Sequence, residues 1–263
     1  MTAINGTVLL TGASGGIGHA IARALAARGA QLVLTGRRAD VLEPLAAEVG
    51  GRALAVDLAD RDAVPRLAEE AGDVEILVAN AALPASGTLD DYTLEQVDRA
   101  LDVNLRAPIQ LAKLLSEGMV ARRHGHLVFI SSLSGRAAAG GSALYSATKF
   151  GLRGFALSLR EDLRRDGVGV SVVLPGFIRD AGMFAEANVE LPWGVGTRTP
   201  DDVAAGVIAA IEHNRAEVEV APLSLRLGAS LATVAPGLSA TVARWLGSER
   251  VSRDMAEGQR HKR

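Results

Sequence analysis

The first 175 residues alternate short, almost continuous apolar runs with longer stretches whose apolar positions recur every three or four residues. TVLLTG, QLVLTG, RALAVD, EILVAN, HLVFISS and VGVSVVLPG are the short runs. Residues 17–28, 39–49, 93–118 and 143–164 are amphipathic, and another helical stretch separates RALAVD from EILVAN. Short apolar runs suit strands buried on both faces, and helix-period segments between them suit covering layers. The pattern predicts an α/β fold, a doubly wound parallel sheet joined by right-handed crossovers. After Gly176 the rhythm breaks. Residues 177–199 read as a loop, 200–213 as a helix and EVEVA as a short strand. No repeat or linker divides the chain. The expected organisation is one domain, 1–221, and a C-terminal helical extension, 222–263, packed on that domain or at a subunit interface. Within the extension Leu223, Leu227, Leu231, Val234, Leu238, Val242 and Trp245 form a helical stripe that Pro236 should kink or split. The charged segment SERVSRDMAEGQRHKR ends the chain.

Composition narrows the partners. With 48% apolar residues in 263, a large core is available, and 3% aromatics favours aliphatic packing over base stacking. A net charge of −2 gives no reason to expect nucleic acid or an anionic membrane. The absence of cysteine excludes disulfides and thiolate chemistry. The uncharged stretch 227–243 is shorter than the ~20 residues of a spanning helix and is broken by Pro236-Gly237, so no membrane span is expected. Peripheral membrane association through the stripe is the weakest of its readings, because few basic residues flank it. The N-terminus has no signal-peptide pattern, and a cytoplasmic location is expected. The histidines show no ligand spacing and no carboxylates cluster, so no metal is expected.

Two segments carry chemistry. TGASGGIG, 11–18, closes the first strand and opens the first helix. Gly12 permits a tight turn, Gly16 lets backbone approach a ligand, and Gly18 lets the helix lie close to the sheet, so helix N–H groups face a pyrophosphate. A NAD site carries an acidic residue at the end of the second strand; here Gly36 is followed by Arg37 and Arg38, which suit a 2′-phosphate. NADP(H) is therefore expected over NAD(H), with Arg37 the stronger candidate; the plainer reading is a solvated helix start. In YSATK, 145–149, Tyr145 and Lys149 share a helix face, and the ammonium is expected to lower the phenol's pKa toward general acid–base use.

Taken together, these pieces resemble the short-chain dehydrogenase/reductase family over about residues 5–220. TGASGGIG fits its TGxxxGxG turn, Asp57-Leu58 its adenine-contacting position, and Asn80-Ala81 part of its NNAG element, from which Ala79 and Ala82 depart. Asn104 fits its catalytic asparagine, Ser132 its serine, Tyr145 and Lys149 its YxxxK, and Pro175-Gly176 its turn after the sixth strand. The resemblance implies a Rossmann-type fold and a catalytic set of Asn104, Ser132, Tyr145 and Lys149. It assigns cofactor contacts to Gly12, Ser14, Gly16, Ile17, Gly18, Arg37, Arg38, Asp57, Leu58, Asn80, Ala81, Tyr145, Lys149, Pro175, Gly176 and Ile178. Tyr145 would give or take the proton, Ser132 would steady the same oxygen, Lys149 would also hold the ribose, and Asn104 would kink its helix and hold a relay water. Each has a plainer alternative: Ser132 as a cap, Asn104 bonded to nearby backbone, and Ser131 as a cap or an inward-packing group. One departure stands out. The family's carboxamide-contacting threonine is here Asp180, which leaves backbone around Ile178 to carry that contact.

The expected reaction is hydride transfer between NADP(H) and a hydrophobic alcohol/carbonyl pair. Phe177, Met183, Phe184, Leu191 and Trp193 make the loop that closes on the substrate apolar. The alternatives are a 3-oxoacyl thioester reductase and a non-catalytic NADP(H) sensor. The resemblance also implies a homodimer or homotetramer through the two long helices.

Overall fold

A computed structural model describes residues 4–187, 195–238 and 248–259, with Val189, Leu191 and Thr241. Seven strands form one parallel sheet: β1 (Thr7–Thr11), β2 (Gln31–Gly36), β3 (Arg52–Ala55), β4 (Ile76–Ala79), β5 (Gly125–Ile130), β6 (Val168–Pro175) and β7 (Glu217–Val220), in the order β3-β2-β1-β4-β5-β6-β7. Successive strand residues point to opposite faces. Leu9 and Leu10 are both fully buried, which explains why the run is apolar throughout. Leu10 joins one core layer with Ile21, Leu25 and Leu42; Leu9 joins the other with Leu67, Leu111 and Leu152. The first layer is covered by α1 (Gly16–Ala26), α2 (Ala39–Val49) and α8 (Pro200–Glu212), the second by α3 (Ala63–Ala71), α5 (Ala107–Ala121) and α6 (Ala143–Leu163). The strand order reverses between β1 and β4, and this switch opens a crevice at the carboxyl ends of the strands.

The helix expected over 93–118 is real but interrupted. A capping box between Thr93 and Gln96 starts α4 (Leu94–Leu101), and α5 continues it after a π-helical segment, Asp102–Arg106. Pro108 has no N–H to give the Asn104 carbonyl four residues back, and the ladder widens here, with Ala107 N–H reaching Asp102 O.

After β6 the expected loop contains a short helix, α7 (Gly182–Ala187). In the extension, α9 (Leu223–Val234) stops just before Pro236, as the sequence predicts. The described part of its stripe, from Leu223 to Leu238, faces outward; Val242 and Trp245 lie outside the described residues. The charged end is a helix, α10 (Ser248–Gly258). Its composition masked a partly buried face.

Below the crevice, His126 on β5 is buried, and its Nε2 lies 2.8 Å from Ser171 Oγ on β6. The Ser171 hydroxyl donates to the Arg215 carbonyl, so it accepts from a neutral imidazole. Burial, aided by Arg160, lowers the His126 pKa from 6.5 to about 4. The unfolded chain therefore takes up this proton first as pH falls. Stability linked to His126 is present above pH 6.5 and lost toward pH 4. Between pH 7 and 4.5 the loss should be about 2 kcal/mol. Urea unfolding at both pH values checks this: the pH difference should shrink by that amount in His126→Gln.

Candidate active site

The glycine turn is held by its neighbours across the switch point. Gly12 has φ +65°, and a Cβ there would stand 2.7 Å from Ala81 Cα. The Asn80 amide donates to the carbonyls of Thr11 and Gly12, each at 3.1 Å. Thr11 Oγ1 accepts from the N–H groups of Asn80 and Ala81 at 3.0 Å each. Sequence reasoning did not single out Thr11, although its place directly before the first turn glycine was a signal. A Cβ on Gly18 would meet Gly12 O at 2.4 Å, so Gly18 does let α1 approach the turn. Gly16 has a further use: a Cβ there would stand 2.4 Å from Ala181 Cβ, so the missing side chain makes room for the loop after β6. Among the described residues no side chain caps α1, and its first turn holds no acidic residue, an arrangement that fits an anion such as a pyrophosphate.

Toward α2, Ser14 packs against Gly36, where a Cβ would come within 2.9 Å of Ser14 Oγ. Arg38 directs its guanidinium to the Ser14 carbonyl, and both Arg37 and Arg38 are exposed. Asp57 follows β3. Burial pushes its carboxyl up, but the Ala59 N–H and the Arg99 guanidinium, 2.8 Å away, outweigh it and hold the pKa below the usual value. Leu58 beside it is buried. Arg99 on α4 carries no local sequence signal; only the fold brings it to Asp57.

Ser132 and Tyr145 meet because the turn after β5 packs directly on α6. Ser131 points inward and donates to the Lys149 carbonyl at 2.9 Å, so it is not the cap. A Cβ on Gly135 would lie 2.6 Å from that same carbonyl. Ser132 is the cap, accepting from Ser134 N–H at 3.1 Å and donating to the Pro175 carbonyl at 3.5 Å, and it sits near enough to the Tyr145 hydroxyl to pull the phenol's pKa down. Tyr145 packs beside Ala85, Ala100 and Leu144. Lys149 is 2% exposed; its Nζ donates to the Ile130 carbonyl at 3.0 Å and lies 5.6 Å from the centre of the Tyr145 ring.

The protonation of this pair departs from the sequence expectation. Burial raises the Tyr145 pKa from 10.0 to about 12, against a downward pull from Ser132. Burial lowers Lys149 from 10.5 to about 8. Desolvation disfavours both charged forms. The ammonium lies beside the ring and still favours a phenolate, but burial outweighs that attraction and the phenol keeps its proton near neutral pH.

Asn104 is buried in the π segment, and its side chain pairs twice with Leu83. Its Nδ2 donates to Leu83 O at 2.9 Å and its Oδ1 accepts from Leu83 N at 2.6 Å. The helix is interrupted here by the π segment, and for the Asn104 side chain the plainer reading, bonding to nearby backbone, is the observed one.

Pro175 ends β6, and Gly176 N–H donates to Val220 O at 3.0 Å. The loop that follows is pinched at its base: Arg198 N–H donates to Phe177 O, and Arg179 N–H to Arg198 O, each at 2.9 Å. That pairing turns the N–H and C=O of buried Ile178 to the other side. Asp180 has φ +69°, its side chain is 67% exposed, and it lies 3.4 Å from Arg179 Nε. Asp tolerates this left-handed backbone, where a β-branched threonine would be an outlier. Phe177 and Phe184 meet with ring centres 5.1 Å apart and planes tilted by 54°, while Trp193 lies outside the described residues.

The model of the short chain dehydrogenase family matches residues 6–191. Ketoacyl reductase HetN of Nostoc sp. is 33% identical over 98% of this chain and 96% of its own length. Dehydrogenase/reductase SDR family member 7B of Bos taurus is 32% identical over 89% of this chain and 79% of its own. A solved short-chain dehydrogenase from Sphingobium yanoikuyae in complex with NADPH superposes with a TM-score of 0.76, at 30% identity, over 88% of this chain and 94% of that one.

Proposed function

The chain belongs to the short-chain dehydrogenase family, an NAD(P)-dependent oxidoreductase acting on a CH–OH/C=O pair, and we propose that it uses NADP(H) on a hydrophobic alcohol or carbonyl. The carrying observation is the cluster of Ser132, Tyr145 and buried Lys149, with Lys149 Nζ 5.6 Å from the Tyr145 ring centre, at the same end of the sheet as the glycine turn. The NADPH bound in the Sphingobium structure and the two exposed arginines after β2 support the cofactor reading.

In this reading, Gly12, Ser14, Gly16, Ile17 and Gly18 hold the pyrophosphate, Arg37 and Arg38 the 2′-phosphate, and Asp57 and Leu58 the adenine. Asn80 and Ala81 line the approach, and Pro175, Gly176 and the backbone of Ile178 face the nicotinamide. NADP(H), when bound, supplies or accepts the hydride. Tyr145 keeps its proton at neutral pH, which suits donation to a carbonyl oxygen during reduction. Ser132 hydrogen-bonds the same oxygen as charge develops on it. Lys149 holds the ribose and, while protonated, stabilises a transient phenolate. Asn104 lies in the π segment opened by Pro108, and any water relay from it runs through its main-chain carbonyl, because its side chain is engaged by Leu83.

The paired Phe177 and Phe184 rings support an apolar substrate. A second reading, reduction of 3-oxoacyl thioesters, is favoured by the similarity to a ketoacyl reductase along nearly the whole chain. Exposed Leu114 and Phe150 on α5 and α6 support an oligomer built on those helices. Among the described residues no helix is long and apolar enough to cross a membrane.

The test is oxidation of NADPH and NADH, separately, with apolar ketones, aldehydes and 3-oxoacyl thioesters. Turnover with NADPH and an apolar ketone is expected. Tight NADPH binding without turnover across the panel would favour the sensor. Arg37→Ala should raise the KM for NADPH roughly 10- to 100-fold, the worth of a charge-assisted hydrogen bond, with little change for NADH. Equal effects on both cofactors would remove the assignment.

A further inference from the structure

The C-terminal helix α10 reaches two parts of the site. Ser252 Cβ lies 3.0 Å from where a Cβ on Gly141 would stand, in the loop that leads into the helix of Tyr145. At its other end α10 presses on α7: a Cβ on Gly258 would lie 2.7 Å from Ala187 Cα and 2.8 Å from Ala187 O. The next residue, Gln259, is 1% exposed, and its Nε2 donates to the Met183 carbonyl at 2.7 Å. On its other sides α7 is bounded by Ala181 against Gly16 and by Phe184 on Phe177. The lid helix is thus clamped between the phosphate turn and the end of the chain.

Gln259 carries an unusual feature. With Nε2 committed to Met183, its Oε1 is buried with no hydrogen-bond partner among the described residues. A buried acceptor left unpaired is destabilising, so this glutamine is not the best residue for stability alone. We infer that Gln259 is a specificity-determining residue: by tying Met183 to α10 it fixes how far α7 stands off the cleft, and so how bulky a carbonyl substrate reaches Tyr145. The inference rests on the reading that residues 177–199 close over an apolar substrate.

The variants are chosen to separate position from stability. Gln259→Met keeps the volume while removing both the donor to Met183 and the unpaired oxygen, so its stability should stay near that of the parent. Gln259→Glu keeps the shape but faces the Met183 carbonyl with a carboxylate. Gly258→Ala leaves Gln259 intact and pushes on Ala187. Each full-length variant is compared with the parent by thermal midpoint, by amide hydrogen exchange of 182–187, and by kcat/KM with NADPH over apolar ketones of increasing bulk.

For Gln259→Met the expected result is an unchanged midpoint and exchange in α7 faster by roughly fivefold, the factor one neutral hydrogen bond is worth. The ratio of kcat/KM for bulky over small ketones should rise by a similar factor, with kcat for the smallest ketone held. Gln259→Glu and Gly258→Ala should move in the same direction. Unchanged exchange in α7 overturns the clamp. Faster exchange with unchanged size preference overturns the specificity role. If the parent turns over no ketone, the substrate reading fails and the specificity role with it, while exchange without substrate still decides whether Gln259 holds the lid.

Discussion

Tyr145→Phe is expected to lower the rate of carbonyl reduction by roughly 10³-fold or more, in the range removal of a positioned proton donor produces, while NADPH still binds. The substitution removes one oxygen and little else. The ring keeps its packing beside Ala85, Ala100 and Leu144, so the helix that carries it has no reason to move. Ser132 keeps its bond from Ser134 N–H, so the turn after β5 stays capped. Lys149 keeps the Ile130 carbonyl. What disappears is the proton aimed at the developing alkoxide. Single-turnover reduction by bound NADPH isolates that step from product release, and a fluorescence titration reports cofactor affinity. A rate within tenfold of the parent would remove Tyr145 from the proton transfer and leave Ser132 or water as the donor. A matching loss of NADPH affinity would instead point to a role in holding the ribose.

The fold was largely legible because its signals are local. The inner strands β1, β2, β4, β5 and β6 are runs buried on both faces, and the edge strands β3 and β7 are partly exposed. The turn glycines, Ser132, Tyr145 and Lys149 are likewise short patterns, and the fold brings their carriers to one end of the sheet. What was not legible depends on residues far apart in the chain. Nothing near Asp57 points to Arg99, nothing near Gly16 to Ala181, and nothing near Met183 to Gln259. The helix α10 was hidden because a charged sequence can still present one inner face. The left-handed backbone of Asp180 was equally invisible. The sign of the Tyr145 shift failed for a related reason. Four-residue spacing places a lysine by the ring, but it does not say how dry the site is, and dryness decides the shift.

That dryness has a measurable consequence at Lys149. Its ammonium is 2% exposed and its pKa falls from 10.5 to about 8. The unfolded chain therefore holds the proton over a range where the native protein has released it. Above pH 10.5 the amine is neutral in both states. As pH falls from there to 8, stability is lost, and below 8 the full cost, on the order of 3 kcal/mol, is present. Lys149→Met fills similar space without a charge and gives up one hydrogen bond, to Ile130, worth about 1 kcal/mol. The variant is therefore expected to be more stable than the parent by roughly 2 kcal/mol near neutral pH. Over the same interval it should lose carbonyl reduction by at least ~10²-fold, because the charge that stabilises a transient phenolate is gone. The composition favours the measurement. The chain has only three lysines and two tyrosines, so few groups titrate between pH 8 and 10. Lys113, the other described lysine, is exposed. Tyr145, raised to about 12, works in the opposite sense, but only above its unfolded value of 10.0. Urea unfolding at about pH 7.5 and 9.5 should show the parent gaining about 2 kcal/mol across the interval, with Lys149→Met flat. A flat parent would mean that other protein groups compensate the buried charge. A sloping parent with a stable, inactive variant would mean that the site keeps a destabilising lysine for its chemistry.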